Sequence, residues 1–213
     1  MTERLNKIFD EIPRCEVFAD IACDHGYIAQ AMIKSGKCRT AYVSDISEKS
    51  LGKAINLLEE YIERKRVFGF VSDGFINVPD CDVALIAGVG GALIVKMLKE
   101  AKALPEKMVL QPMRNALEVR KTLIFLGYRI TKDVTFFADG EFYDVIVTEK
   151  GKDVLTKEEL EFGRTNVNER PDEFRAKMRE ELNKLISYSE REKVSDKSKK
   201  QILKRAEKYK KYV

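Results

Sequence analysis

The chain has little histidine and no closely spaced cysteines. It contains one histidine, and none of its four cysteines forms a Cys-x-x-Cys pair; they are Cys15, Cys23, Cys38 and Cys81. A zinc site draws its ligands from closely spaced Cys and His residues, so we expect no bound metal. The chain also lacks an apolar run long enough to span a bilayer and a signal-peptide pattern at its N-terminus. We therefore expect a cytoplasmic protein with reduced cysteines and no membrane partner.

The net charge of +4 is unevenly distributed. Residues 151–213 carry 18 Lys and Arg against 13 Asp and Glu, whereas residues 1–150 carry 21 against 22. Residues 197–213 have eight basic residues and one acidic residue. Such a basic segment attracts nucleic acid, although a run of charge alone is more often a solvated helix face. We predict two domains, a body of residues 1–150 and a basic tail of residues 151–213.

The body alternates between apolar β-rich runs and amphipathic helical segments, including one long helix predicted over residues 47–66. This pattern predicts an α/β fold with a mostly parallel sheet. Asp139-Gly140 then joins two β-rich runs and predicts an antiparallel terminal hairpin. Five βα units followed by such a hairpin are typical of the seven-stranded, Rossmann-like sheet of class I methyltransferases. In the tail, apolar residues at helical spacing predict a short helix over 156–166 and then a helical hairpin, similar to a coiled coil, with its turn near Ser195.

Carboxylates stand at the ends of three successive predicted strands. Asp20 and Asp24 follow the first strand, Asp45 ends the second, and Asp73 with Gly74 follows the third. Because the carboxyl ends of parallel strands meet in one crevice, we expect these residues to face one ligand. An acid after the second strand typically binds ribose hydroxyls, and an acid after the third can accept a hydrogen bond from adenine. Each carboxylate could instead be an ordinary helix cap or turn residue.

The first of these turns also indicates which ligand is bound. It lacks the Gly-x-Gly-x-x-Gly pattern that receives a pyrophosphate, which disfavours a nicotinamide oxidoreductase. It carries two carboxylates and an imidazole instead, and these suit a ligand with hydroxyls and positive charge. S-adenosyl-L-methionine has ribose hydroxyls, an ammonium and a sulfonium, so we expect it to be the cofactor.

The body contains three longer motifs in order along the chain. It also contains two shorter ones, Ser72-Asp-Gly74 and Phe142-Tyr143. The three are Ala19-Asp-Ile-Ala-Cys-Asp-His-Gly-Tyr27, Ile86-Ala-Gly-Val-Gly-Gly-Ala-Leu-Ile94 and Leu110-Gln-Pro-Met-Arg-Asn115. Together they resemble motifs of the bacterial TrmK family, tRNA (adenine-N1)-methyltransferases that act on adenosine 22. The tail resembles the family only in its helical layout. The sequence departs from the family pattern at Ala22-Cys23 and Gly26, and at Met113, where many members carry Asn.

The resemblance implies methyl transfer from S-adenosyl-L-methionine to N1 of adenosine 22 in tRNA. It implies a set of donor-binding residues at the strand ends: Asp20, Cys23, Asp24, His25, Asp45, Ile46, Asp73, Gly74, Ala87, Gly88 and Gln111. Adenine N1 already has a lone pair, so no strong base is required; Asp24 is our candidate catalytic residue, stabilising the cation that forms or accepting a proton. His25 could act as a base, but we favour a role in orienting the loop. The residues expected to bind RNA are Arg114, Lys199, Lys200, Lys204 and Arg205.

Two other functions stay open. The protein could methylate a small molecule or another protein, in which case the basic tail would be incidental. It could also be a non-catalytic RNA-binding module that keeps the fold without the chemistry. The oligomeric state stays open as well, with a monomer favoured.

Overall fold

The computed structural model describes residues 1–190 and 195–213. Its strands are β1 (Cys15–Ile21), β2 (Cys38–Asp45), β3 (Val67–Val71), β4 (Val83–Val89), β5 (Lys107–Pro112), β6 (Tyr128–Ala138) and β7 (Glu141–Lys150). Its helices are α1 (Glu3–Glu11), α2 (Tyr27–Lys34), α3 (Glu48–Leu57), α4 (Glu59–Glu63), α5 (Gly91–Glu100), α6 (Ala116–Phe125), α7 (Lys157–Phe162), α8 (Arg164–Glu169), α9 (Asp172–Ser189) and α10 (Asp196–Lys210).

All seven strands lie in one sheet, in the order β3-β2-β1-β4-β5-β7-β6. The pairs within β1 to β5 are parallel, whereas β7 lies antiparallel between β5 and β6. The strand order reverses direction at β1 and β4, which is where open α/β sheets form a ligand crevice. The predicted fold, a mostly parallel sheet with an antiparallel terminal hairpin, is confirmed.

Helices cover both faces of the sheet, which explains why the parallel strands are nearly continuous apolar runs. Successive residues of β1 point to opposite faces. Phe18 packs in the cluster that contains Ile8 of α1 and Met32 of α2. Ala19 packs in the second cluster, which contains Ile94 of α5 and other residues of α5 and α6. Burying a large side chain such as Phe18 or Ile94 contributes about 1.5 to 3 kcal/mol, so these two layers hold the strand ends in place.

Two predicted helices are each divided in the structure. The helix expected over residues 47–66 breaks at Leu58, whose N–H donates to the carbonyls of both Ala54 and Ile55. The helix expected over 156–166 breaks at Gly163, which has φ 93°. A Cβ at this glycine would lie 2.7 Å from the Asp133 carboxylate. The apolar period continues through both breaks, so periodicity could not reveal them.

The tail has its own small core and a helical hairpin. Ser195 lies at the N-cap of α10, where its side chain accepts a hydrogen bond from the Ser198 N–H. The sequence predicts the turn around residues 195–197, but Asp196 and Lys197 already belong to α10, and residues 191–194, which precede Ser195, lie outside the described residues. Helices α9 and α10 pack on each other around an aromatic cluster. Its buried members are Phe162, Phe174, Met178, Tyr209 and Tyr212.

A set of buried polar side chains, here called the junction network, joins the tail to the body. Arg120 of α6 is fully buried and donates to both carboxylate oxygens of Asp133 in β6, at 2.7 and 2.9 Å. The same guanidinium donates to the carbonyls of Leu160 and Glu161 in α7. Hydrogen bonds at this distance and with both partners charged are among the strong ones in proteins.

The junction network extends to α8 and α9. The Asp144 carboxylate of β7 lies 2.7 Å from Lys177 Nζ and accepts a hydrogen bond from Thr135. Burial raises the pKa of Asp144, but Lys177 and Arg120 outweigh it and hold this pKa below its ordinary value. The buried Asn166 side chain accepts from the Thr135 N–H and donates to its hydroxyl. The members of the network are Arg120, Asp133, Thr135, Asp144, Asn166 and Lys177.

Candidate functional site

A cavity of about 450 Å³ opens at the carboxyl ends of β1, β2 and β4. It lies where the strand order reverses, the usual position of a ligand in an open parallel sheet. Most of the residues predicted to bind the donor line it. They are Asp20, Cys23, Asp24, His25, Asp45, Ile46, Gly74, Ala87 and Gly88. Asp73 and Gln111 do not line the cavity directly.

The turn between β1 and α2 has an unusual backbone. Ala22 and Asp24 have φ values of 58° and 47°, in the left-handed region that residues other than glycine rarely adopt. Gly26 has φ 71°, and a Cβ there would lie 2.9 Å from the Cβ of Ala54. Gly26 is the N-cap of α2 and no side chain caps this helix, so Asp24 is not a helix cap. Such backbone strain concentrates at functional sites.

Two neighbours hold the Asp24 carboxylate. His25 Nδ1 lies 2.6 Å from its Oδ2, and Lys53 of α3 donates from Nζ to its Oδ1 at 3.1 Å. Burial raises the pKa of Asp24, but the hydrogen bonds of Lys53 and His25 outweigh it and lower this pKa below its ordinary value. Asp24 is therefore a fixed negative charge at the cavity wall.

Asp20 is only 5% exposed and has the opposite electrostatic environment. Burial raises its pKa to about 7, and the nearby charge of Asp45 adds to this shift. A hydrogen bond from the backbone N–H of Ala29 in α2 acts in the other direction and only partly offsets it. A cation bound in the cavity would favour the ionised carboxylate, because an opposite charge nearby stabilises it.

Asp45 is tied to the backbone on two sides. Its Oδ1 accepts from the Ser47 N–H at 2.9 Å, and its Oδ2 accepts from the Asp24 N–H at 3.3 Å. Ser47 is itself the N-cap of α3, so capping of this helix does not require Asp45. A carboxylate has about four acceptor sites, and these two bonds leave others for a ligand.

The two predicted residues that do not line the cavity lie close to it. Asp73 is turned to Lys96 of α5, with 2.5 Å between Oδ2 and Nζ. The adjacent Gly74 does line the cavity, and a Cβ there would lie 2.8 Å from Met97 Cγ. Gln111 is fully buried, and its Oε1 accepts from the Gly88 N–H at 3.2 Å. Gln111 thus fixes the end of β4 rather than the cavity surface.

Sequence reasoning missed several residues that line the cavity, most of them apolar. They are Arg4, Leu5, Ala22, Tyr27, Ile28, Ser50, Ser72, Leu85, Val89, Leu93 and Met97. Arg4 is the charged one, and it reaches the cavity from α1, which the sequence indicated only as a packing helix. No spacing rule connects α1 to the strand ends. Tyr27 stands inside the first motif, and its ring stacks on His25 with centroids 5.3 Å apart and planes within 5°.

The rim of the cavity is apolar and exposed. Tyr27, Ile46 and Leu93 are each at least 40% exposed although their side chains are large. Met113, in the loop after β5, is 49% exposed as well. Exposed apolar groups gathered around a concave site usually mark a binding surface, and aromatic or flat side chains suit a planar ligand.

The residues predicted to bind RNA fall into two locations. Arg114 is exposed in the loop between β5 and α6, where its carbonyl accepts from the Gly91 N–H. Lys199, Lys200 and Lys204 of α10 make no ion pair with any residue in the described ranges. Arg205 donates instead to the Tyr209 hydroxyl.

Lys208 of α10 and Lys211, the residue after this helix, form ion pairs within the protein. Lys208 lies 2.7 Å from Glu161, and Lys211 lies 2.7 Å from Glu158, both in α7. The lysines of this segment thus divide into lysines that are ion-paired with α7 and lysines without such partners among the described residues. Across residues 1–190 and 195–213, no helix is long and apolar enough to cross a membrane, and no group of three His, Cys, Asp or Glu could hold a metal.

Comparisons with known proteins agree with this geometry. Residues 1–146 match the family model described as a methyltransferase domain. A Mycoplasma pneumoniae protein whose name places it among tRNA methyltransferases is 32% identical over 170 residues, 76% of this chain and 78% of that protein. The tRNA (adenine(22)-N(1))-methyltransferase of Bacillus subtilis is 30% identical over 156 residues, 71% of this chain and 66% of that protein.

Solved structures share the fold over the whole chain. The structure of M. capricolum TrmK, in complex with the cofactor product S-adenosyl-homocysteine, aligns with a TM-score of 0.85. The alignment covers 100% of this chain and 97% of that one at 23% identity. At this identity the likeness establishes the fold, and it includes the helical tail as well as the sheet.

Proposed function

This chain belongs to the methyltransferase-domain family, and within it to the TrmK family, and we propose that it methylates N1 of adenosine 22 in tRNA with S-adenosyl-L-methionine as the methyl donor. The observation that carries this proposal is the convergence of Asp20, Asp24 and Asp45 on one cavity at the strand ends. Relatives named for tRNA methylation favour a tRNA acceptor over a small molecule, a protein or a non-catalytic role.

The residues of the cavity fit the chemistry of the donor. We assign Asp45 to the ribose hydroxyls, because it is a carboxylate with free acceptor sites at the end of β2. Asp20 is assigned to the ammonium of the donor, whose positive charge matches a buried carboxyl. Ile46 and Gly74 supply apolar and open surface for the adenine. Asp73 keeps its predicted place beside that ring, although its carboxylate is paired with Lys96.

The remaining contacts with the donor are assigned from the positions of residues along the cavity wall. We assign the Cys23 and His25 segment to the methionine part of the donor and the 87–88 segment to the space beside the methyl group. Gln111 acts through Gly88, whose backbone it holds.

S-adenosyl-L-methionine supplies an electrophilic methyl group on a sulfonium. Adenine N1 carries its own lone pair, so this chain does not need to remove a proton before the attack. The adenine ring becomes cationic, and the fixed negative charge of Asp24 stabilises that charge. The lowered pKa of Asp24 disfavours its accepting a proton from the exocyclic amino group, so we assign it the role of stabilising charge. Alignment of the reacting atoms in the cavity provides most of the acceleration.

The acceptor reaches the cavity across its apolar rim, and the basic residues hold the rest of the tRNA. We assign Arg114 to the phosphates near the reacting nucleotide, because it is exposed beside the Gly91 end of α5. Lys199, Lys200 and Lys204, with Arg205, are assigned to the phosphate backbone farther away. We place the protein in the cytoplasm, where tRNA is available.

The proposal is tested by incubating the protein with isotopically labelled S-adenosyl-L-methionine and unmodified tRNA, followed by digestion and mass spectrometry of the nucleosides. Label is expected in 1-methyladenosine and is expected to vanish when guanosine replaces adenosine 22. Label in another nucleoside, or in 1-methyladenosine of the substituted tRNA, would show that the proposed position is wrong.

A matched pair of variants separates chemistry from folding. Asp24→Asn should reduce methylation by a larger factor than it weakens binding of the product S-adenosyl-homocysteine. Asp80→Asn, an exposed aspartate outside this cavity, should leave both unchanged. Equal rates for Asp24→Asn and the unchanged protein would remove Asp24 from the chemistry.

A further inference from the structure

Arg4 is the only lysine or arginine among the described residues that line the cavity. The other formally charged groups of the lining are the carboxylates Asp20, Asp24 and Asp45. Arg4 lies in the first turn of α1, far in sequence from every motif of the site. An arginine placed among carboxylates with which it forms no ion pair calls for a different anionic partner.

The surroundings of Arg4 hold its guanidinium in one place. Nη1 donates to Gln111 Oε1 at 2.7 Å, and the guanidinium carbon lies 5.6 Å from the centre of the Tyr143 ring. Gln111 is fully buried and also binds the Gly88 N–H, so the anchor of Arg4 is itself fixed to β4. An arginine has five N–H donors. The bond to Gln111 is its one side-chain hydrogen bond within the described residues, so the other donors are available to a ligand.

The charges of the proposed donor match this arrangement. S-adenosyl-L-methionine carries an ammonium and a sulfonium, which carboxylates attract, and one anion, its α-carboxylate. Three carboxylates in the cavity would repel that anion, and Arg4 is the one group of the lining that attracts it. We infer that Arg4 binds the α-carboxylate of the donor and thereby makes the site specific for the amino-acid part of the donor. This inference rests on the proposed function.

A place for Arg4 beside the acceptor base is less consistent with the reaction. Methylation at N1 leaves a positive charge on the adenine ring, and a guanidinium next to it would raise the energy of that product. Planar guanidinium and carboxylate groups, in contrast, form paired hydrogen bonds, and such pairs are frequent wherever a carboxylate is recognised.

The experiment compares two ligands that differ only in the carboxylate. S-adenosyl-homocysteine and its decarboxylated analogue, S-adenosyl-3-thiopropylamine, are titrated by calorimetry into the unchanged protein and into Arg4→Met. Loss of Arg4 should lower the affinity for S-adenosyl-homocysteine by roughly tenfold to a hundredfold. This is the range expected for losing a hydrogen bond between charged groups. It should change the affinity for the decarboxylated analogue by less than about twofold, since that ligand has no carboxylate to lose.

Controls keep the interpretation specific. Arg64→Met removes an exposed arginine that follows α4 and should leave both affinities unchanged. Arg4→Lys should recover part of the lost affinity, because an ammonium keeps the charge without the planar fork. Unchanged binding of 5′-methylthioadenosine by Arg4→Met would show that the cavity is intact.

Two outcomes would overturn the inference in distinguishable ways. If Arg4→Met lowers the affinity for both ligands equally, Arg4 only connects α1 to β5 and does not recognise the carboxylate. If the unchanged protein binds neither S-adenosyl-homocysteine nor the analogue, the proposed function fails, and the role of Arg4 fails with it.

Discussion

The molecule contains two clusters of buried or half-buried charge, and they are built in opposite ways. In the junction network, Asp133 and Asp144 are each met at 2.7 Å by a cationic side chain, from Arg120 and Lys177 respectively. In the cavity, Asp20 has no cationic partner among the described residues, and the pKa of its buried carboxyl is raised to about 7. The first cluster is complete within the protein, whereas the second is not.

This difference separates structural from functional charge. A buried carboxylate that is fully paired keeps elements together and leaves nothing for a ligand. A buried carboxyl without a cation is a cost to the folded state that a bound cation can relieve. The presence of a buried aspartate therefore does not by itself indicate its role. Whether a cationic side chain pairs with it distinguishes a structural role from a functional one. The following predictions test this contrast from the largest expected effect to the smallest.

Removing the cation of the junction network should have the largest effect. Arg120→Met would leave Asp133 buried and unpaired, which should lower the free energy of unfolding by about 3 to 5 kcal/mol. Urea denaturation measures this change. The control is Arg129→Met, which removes an exposed ion pair with Glu149 and should cost about 1 kcal/mol or less. Equal losses in the two variants would mean that the network does not hold the tail in place.

Asp20 should make stability depend on pH in the direction opposite to an ordinary ion-paired carboxylate. Its pKa is about 7 in the folded protein and about 3.9 in an unfolded chain, so between these values only the folded state keeps the proton. Stability should then fall by a few kcal/mol as the pH rises from about 4 to 7. The Asp20→Asn variant has no carboxyl group to ionise at this position, so this pH-dependent loss of stability should be absent from it.

The test of Asp20 is the difference in unfolding free energy between the two proteins, measured without ligand at pH 5 and pH 8. Other titrating groups are common to both proteins and cancel in this difference. Asp10→Asn, an exposed aspartate of α1, should follow the unchanged protein. Parallel pH profiles for Asp20→Asn and the unchanged protein would mean that burial does not shift the pKa of Asp20 as described.

Two strand-end carboxylates with different environments should contribute differently to donor binding. Asp45 lines the cavity, whereas Asp73 is paired with Lys96 and does not. Asp45→Ala should lower the affinity for S-adenosyl-homocysteine by roughly tenfold or more, because hydrogen bonds to a charged group are lost. Asp73→Ala should lower this affinity less. Calorimetry on both variants decides this, and an equal or larger effect of Asp73→Ala would reverse the assignment.

The same contrast explains what could be predicted from the sequence. Asp20, Asp24 and Asp45 were found because strand ends are visible as ends of apolar runs, and parallel strands bring their ends together. The fold followed from the alternation of elements and from Asp139-Gly140. These features are local or follow from topology.

Features that depend on packing between distant elements were not predictable. Arg4 reaches the cavity only because α1 packs beside β5, and no periodic pattern fixes that placement. Arg120 lies on a helix face that looks apolar in the sequence, and its partner Asp133 stands in an alternating strand. The lysines of α10 look equivalent in the sequence, but their partners in α7 make them different. That last difference gives the smallest predicted effect.

Two pairs of lysines in α10 and the residue after it allow a test at constant net charge. Lys200→Gln with Lys204→Gln removes two lysines that have no ion-pair partner within the described part of the chain. Lys208→Gln with Lys211→Gln removes two lysines that are paired with Glu161 and Glu158. Because each nucleic-acid phosphate contact contributes about 0.7 to 0.9 to the slope of log affinity against log salt, the first pair should reduce that slope by about 1.4 to 1.8.

The second pair should leave the salt slope for tRNA close to that of the unchanged protein, because Glu161 and Glu158 of α7 already neutralise its charges. Filter binding of tRNA at several salt concentrations measures both slopes, and thermal unfolding checks that the variants fold. If the salt slope falls equally in the two double variants, the ion pairs of these lysines do not affect tRNA binding. The tail would then attract tRNA only through its total charge. If neither double variant changes the slope, Lys200 and Lys204 do not contact tRNA phosphates, and Lys199, Arg205 and the exposed Arg114 would be the remaining candidates for holding the backbone.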